Sequence, residues 1–216
     1  GNVVSPDEII KKYGADTARL FVLFAAPPER DLEWSDDGVE GSFRFLNRVW
    51  RLVEELAEKG KKGSVTIKGK DEKELNFALH KTVKKITEDI NGRFNFNTAI
   101  SSVMELVNEG YRYKEAAKEH LNQELIYELI EKLVVIVAPF APHFSEELWE
   151  ILGHDDSVHV ASWPTFVESA LVKDEVEIVL QVNGKVKDRV LVSTSATKDE
   201  IEALAYENEK VKSLMD

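Results

Sequence analysis

The spacing of apolar residues changes once along this chain, and that change constrains the architecture more than any single motif. Val39, Phe43, Leu46, Trp50 and Val53 stand at i, i+4, i+7, i+11 and i+14, which is one face of an α-helix. The helical period resumes after residue 71 with Leu75, Leu79, Ile86 and Ile90, then with Ile100, Val103 and Val107, then with Leu121, Leu125, Leu129, Leu133 and Ile136. From Glu175 the period drops to two: Val176, Ile178, Leu180 and Val182 alternate as a strand does. Helices with one apolar stripe each cover one another best as an antiparallel bundle. Two strands with short helices bury little alone. The expected fold is therefore mainly α, an antiparallel helical bundle followed by a small, incomplete α+β domain.

Punctuation residues mark the elements. Ser5-Pro6-Asp7-Glu8 starts a helix with a hydroxyl cap, a first-turn proline and acids at the positive end of the dipole, and Gly14 stops it. A short helix from Asp16 to Ala25 ends at Pro27-Pro28, where the N–H is missing. Ser35, followed by Asp36 and Asp37, caps the next. Gly60 to Lys70 reads as a mobile Gly/Lys linker. Asn97 is expected to cap a helix that Gly110 stops, and the helix through Leu121 to Ile136 ends at Pro139. The connector PFAPHF leads into a last short helix around Trp149, closed by Gly153. Asn183-Gly184 is a hairpin turn. A two-residue turn would set Leu180 opposite Lys187 and Ile178 opposite Arg189. A three-residue loop, Val182 to Gly184, pairs Leu180 with Val186 and Val176 with Val190, and is preferred for its apolar face. Thr197 caps a final helix, and a short helical segment runs to Asp216.

Composition narrows the function classes. In 216 residues, 43% hydrophobic and 31% charged, there is core enough for one or two domains and no signature of disorder. No apolar run approaches the roughly 18–20 residues of a membrane span; the longest, near Leu133 to Ala141, is broken by Pro139. With no cysteine there is no disulfide or thiolate metal site. These features, and the lack of a cationic-then-apolar leader, lead to the expectation of a cytoplasmic protein. The net charge of -12 argues against nucleic acid, but its distribution does not. Gly41 to Arg93 holds 13 Lys/Arg against 8 Asp/Glu, a local excess of +5 on an acidic protein. Such a region either meets RNA phosphates locally or is ordinary solvated helix charge.

Three basic groups are candidates. Arg44, Arg48 and Arg51, at i, i+4 and i+7, share a helical stripe roughly opposite the apolar face. Their planar donor forks suit phosphate, although Glu54 and Glu55 could pair with them. Lys81, Lys84 and Lys85 cluster on another helix, with Glu88 and Asp89 as local partners. Lys185, Lys187 and Arg189 alternate along the return strand of the hairpin, which would put them on one face. His80, His120, His143, His154 and His159 lack metal-ligand spacing. No phosphate loop, nucleophile elbow or dinucleotide fingerprint is present, and no nucleophile–base constellation, so neither catalytic nor metal-binding residues are expected.

GADTARLFVLFAAPPERDLEW, RFLNRVWRLV, PFAPHFSEELW and QVNGKVKDR together resemble, in order and along nearly the whole chain, the C-terminal region of bacterial-type leucyl-tRNA synthetases, class I enzymes. GNVVSPDEIIKK resembles the stretch just after that family's lysine signature loop (KMSKS); the loop, the HIGH-type signature and the editing insertion have no counterpart here. The resemblance implies residues 1–35 as a helical connector, 36–153 as a bundle of the class I anticodon-binding type, 154–172 as a linker including ASWP, and 173–216 as a truncated C-terminal tRNA-binding domain. It implies tRNA for leucine as partner, together with the missing catalytic domain of the same chain, and neither membrane nor DNA. Arg44 and Arg48 match positions where the family turns basic residues toward tRNA, and the hairpin basic residues match a domain that reaches the outer corner of tRNA. The fragment would need no cofactor and be inactive alone; its parent would join leucine to tRNA with ATP and Mg. Rival readings are the equivalent region of a valyl-, isoleucyl- or methionyl-tRNA synthetase, against which VNGKVKDR argues, and a helical protein-interaction module.

Overall fold

In the computed structural model, which describes residues 3–27, 30–92, 95–172, 175–194 and 196–213, local chemistry starts most of the elements. Ser5 Oγ accepts from the Asp7 N–H, and Pro6 opens α1 (Pro6–Tyr13). Gly14, at φ +87°, separates it from α2 (Ala15–Ala25). Ser35 Oγ accepts from the Gly38 N–H at 3.1 Å and starts α3 (Asp36–Leu56). Then follow α4 (Gly69–Asn91), α5 (Phe96–Ala117), α6 (Gln123–Val137) and α7 (Pro142–Ile151). Pro28 and Asp216, each part of an expected stop, lie outside the described residues.

The chain divides into two units, residues 1–170 and 171–216. In the first, α4 and α5 form an antiparallel pair. Asp71 meets Arg112, Thr82 meets Ser102, and Asp89 meets Thr98. Residues 133–138 of α6 and its cap are buried on every side, as befits the central helix of a bundle. The core stripe of α3 is broader than the sequence reading drew it. Val39, Leu46 and Val53 are buried, but so are Phe45, Val49, Leu52 and Leu56, whereas Phe43 lies at the margin, 37% exposed.

Two expectations fail here for tertiary reasons. Gly110 does not stop a helix, because α5 runs on to Ala117. Its missing side chain is instead room for a neighbour: a Cβ there would meet Leu52 Cδ2 at 2.9 Å. The segment from Gly60 to Lys70 is not a loose linker. Lys61 donates to the Gln123 carbonyl at 3.0 Å, and Asn122 Nδ2 donates to the Thr66 carbonyl and to Glu72 at 2.8 Å each. Val65 and Ile67 pack on the core. Smaller shifts follow: α5 begins after Asn95, not Asn97, and Leu121 precedes α6, whose cap is Asn122.

The second unit holds an antiparallel hairpin, β1 (Glu175–Val182) and β2 (Lys185–Ser193), with α8 (Lys198–Glu207) and α9 (Glu209–Lys212). Thr197 and Glu200 form a reciprocal capping box at α8. Val182 pairs with Lys185, so the turn is the two-residue one, not the three-residue loop expected. Asn183 and Gly184 both have positive φ, 52° and 75°, the type I′ geometry that matches strand twist. The unfavourable register is then corrected one step later. A bulge leaves Lys187 unpaired, setting Ile178 opposite Val190 and Val176 opposite Val192. Leu180, Val192 and Val211 are this unit's buried apolar residues.

Candidate nucleic-acid interface

The arginine row of α3 faces solvent along its whole length; Arg44, Arg48 and Arg51 are all exposed. Helical geometry sets them about 6 and 10 Å apart along the axis. Arg44 lies 3.5 Å from Glu40, both well exposed, a pairing of little energetic weight. Arg48 Nη1 donates to Asn108 Oδ1 on α5 at 2.8 Å, and its guanidinium carbon stands 5.1 Å from the Tyr111 ring centre. Tyr111 returns a hydrogen bond from its hydroxyl to the Arg48 carbonyl at 2.8 Å. Arg51 makes no hydrogen bond or ion pair among the described residues. Lys114 stands 5.4 Å from the same Tyr111 ring and pairs with Glu55. Burial, then Glu55, raises the Tyr111 phenol above its ordinary pKa despite the three cations nearby, so it remains a neutral donor.

The lysines of α4 are arranged differently, each beside a carboxylate. Lys81 is 4.0 Å from Glu105, Lys84 is 3.4 Å from Glu168 and over Phe166, and Lys85 is 2.7 Å from Asp89. Asp89 is buried and also accepts from Thr98 at 2.8 Å, so Lys85 belongs to the α4–α5 corner. In the hairpin, the three basic residues do not share a face. The bulge at Lys187 inverts the alternation: Lys185, opposite Val182, falls on the Leu180 side, whereas Arg189, opposite Val179, falls on the other and binds Glu177 at 2.9 Å. Asp188, on the Leu180 side, accepts from Asn208 and Lys210 at 2.9 Å each, which hold its carboxyl down at about 2.

The remaining polar groups tie helices together. Asp16 of α2 accepts from the Phe144 N–H at 2.5 Å and lies 3.1 Å from His143 Nδ1, while Arg19 Nε donates to the Pro139 carbonyl at 3.1 Å. The GADTAR stretch thus clasps the PFAPHF connector. His154 stacks on Trp149 and meets Glu131 at 2.8 Å. His80 is buried and accepts from the Val167 N–H at 3.0 Å; burial, then Lys132, lowers its pKa. Trp163 donates to Thr87 Oγ1 at 2.9 Å, closing the ASWP segment onto the bundle. Among the described residues no cluster of three or more His, Cys, Asp or Glu is arranged to hold a metal, and no helix is long and apolar enough to cross a membrane. Asn108, Tyr111 and Lys114 were not among the sequence candidates; an aromatic–basic pairing at i, i+3 was the available signal.

Residues 72–203 match the family described as the anticodon-binding domain of tRNA ligase. The span starts in α4, so the α3 arginines precede it. Among solved structures, the ternary complex of Agrobacterium radiobacter LeuRS with tRNA and LeuAMS is similar over 100% of this chain, with a TM-score of 0.83 and 26% identity. This chain spans 28% of the length of that one.

Proposed function

The chain belongs to the anticodon-binding domain family of tRNA ligases, and from that premise we propose that it is the tRNA-docking part of a bacterial-type leucyl-tRNA synthetase. The observation that carries the leucine reading is the likeness to LeuRS along the full chain, hairpin unit included. In this reading tRNA lies along the solvent side of α3, its phosphates taken by Arg44, Arg48 and Arg51. Lys81, Lys84 and Lys85, and Lys185, Lys187 and Arg189, add attraction after exchanging their carboxylate neighbours where they have them. Phosphate contacts fix register and orientation without reading bases, and an acidic protein with a local basic strip keeps unspecific RNA off the rest of its surface. Joining leucine to tRNA, with ATP and Mg, belongs to a catalytic domain of the same polypeptide, and the site of action is the cytoplasm.

The test is a salt titration of binding between the 216-residue chain and a leucine tRNA transcript, with a valine tRNA beside it. The expected result is log K falling linearly with log salt, as counterion release requires, and tighter binding of the leucine tRNA. No binding of either at low salt overturns the docking reading. Tighter binding of the valine tRNA overturns the leucine assignment alone.

A further inference from the structure

We infer that Asn108 and Tyr111 of α5 are positioning residues of an RNA-phosphate site whose charge is carried by Arg48, with Arg51 one turn further along α3. The inference deepens the tRNA-docking reading above and rests on it. Basic side chains elsewhere in the bundle are held by acids. Arg112 meets Asp71, Glu74 and Glu109 at 2.7, 2.8 and 2.5 Å. Arg48 is held just as firmly, at 2.8 Å to Asn108 Oδ1 and 5.1 Å to the Tyr111 ring, but by neutral groups.

That difference has a chemical consequence. A carboxylate fixes an arginine by cancelling its charge, and an incoming phosphate must displace it. An amide oxygen and an aromatic ring fix the guanidinium and leave its charge intact, with most of its donor fork unspent. An unheld arginine loses rotamer freedom when it binds; one held in this way has lost it on folding. The Tyr111 hydroxyl donates to the Arg48 carbonyl at 2.8 Å and so fixes the two helices to each other at that residue. Asn108 and Arg48 are both exposed, so the arrangement is open to a ligand as it stands.

The experiment compares four variants of the 216-residue chain for affinity and salt slope with the leucine tRNA transcript, each checked by thermal melting. Arg48→Gln removes the charge and should flatten the slope by about 0.7 to 0.9. Asn108→Ala and Tyr111→Leu free the side chain but keep the charge; each should weaken binding about three- to tenfold with the slope unchanged. Asn108→Asp keeps the shape and strengthens the contact to Arg48. A structural role alone would leave it as stable and as tight-binding as the parent chain. The inference requires that it melt no lower yet bind more weakly, with a slope flattened as in Arg48→Gln. If Arg48→Gln weakens binding while Asn108→Asp and Asn108→Ala bind like the parent chain, the positioning role is refuted and the docking reading stands. If Arg48→Gln itself binds like the parent chain, the site on α3 is refuted and the positioning role falls with it.

Discussion

Replacing Asp16 by alanine should unfasten α7 from α2. The first turn of α7 has no side-chain cap of its own, since its N-cap residue is Ala141. Asp16 supplies the cap from a helix 128 residues earlier, accepting the Phe144 N–H at 2.5 Å, with His143 Nδ1 at 3.1 Å. Losing a side-chain cap costs about 1 kcal/mol. Losing a carboxylate from the positive end of a helix costs about 0.3–1 more, and stranding a half-buried N–H adds about another 1 at the low end of its range. The sum is about 2–3 kcal/mol. For a unit of this size each kcal/mol lowers Tm by about 2–4 °C, so Asp16→Ala should melt about 4–12 °C lower than the parent chain by circular dichroism. Asp16→Asn keeps an acceptor and loses the charge, and should fall by less than half as much. A drop below about 2 °C for alanine, or equal drops for the two variants, would refute this account of the junction.

Two further outcomes concern protonation. His80 is held neutral by burial, so its pKa in the folded protein lies below the ordinary 6.5. The unfolded chain then binds the extra proton, and stability should decline as pH falls below 6.5 toward the folded value; an imidazole NMR titration placing His80 at or above 6.5 would contradict this. Asp188 is depressed from 3.8 to about 2 by Asn208 and Lys210. Its contribution to the second unit should be complete above 3.8 and disappear as pH falls through about 2. Carboxyl NMR should find the Asp188 midpoint raised in Asn208→Ala.

The parts of this fold legible in the sequence are those decided locally. Ser5, Ser35 and Thr197 cap the helices that they announce, and the switch from helical to strand period falls where the hairpin begins. What could not be read depends on partners far along the chain. Gly110 looks like a stop until Leu52 is set against it. The Gly/Lys segment looks loose until Asn122 and the Gln123 carbonyl hold it. The hairpin register was misjudged because a bulge after the turn can repair a pairing that the turn alone would spoil. That bulge also parts Lys185 from Arg189. The candidate interface divides in the same way. The arginine stripe is a matter of helical spacing, whereas Asn108 and Tyr111 reach Arg48 across 60 and 63 residues and have no local signal pointing to it.

The central claim is that the α3 arginines hold tRNA without holding the fold together. Arg44→Glu with Arg48→Glu in one chain tests it most directly, by measuring leucine tRNA affinity and the melting temperature on the same sample. The account predicts binding severely weakened at low salt, where electrostatic attraction is strongest, with a melting temperature within about 2 °C of the parent chain, because both side chains are exposed. Undiminished affinity at low salt would contradict it.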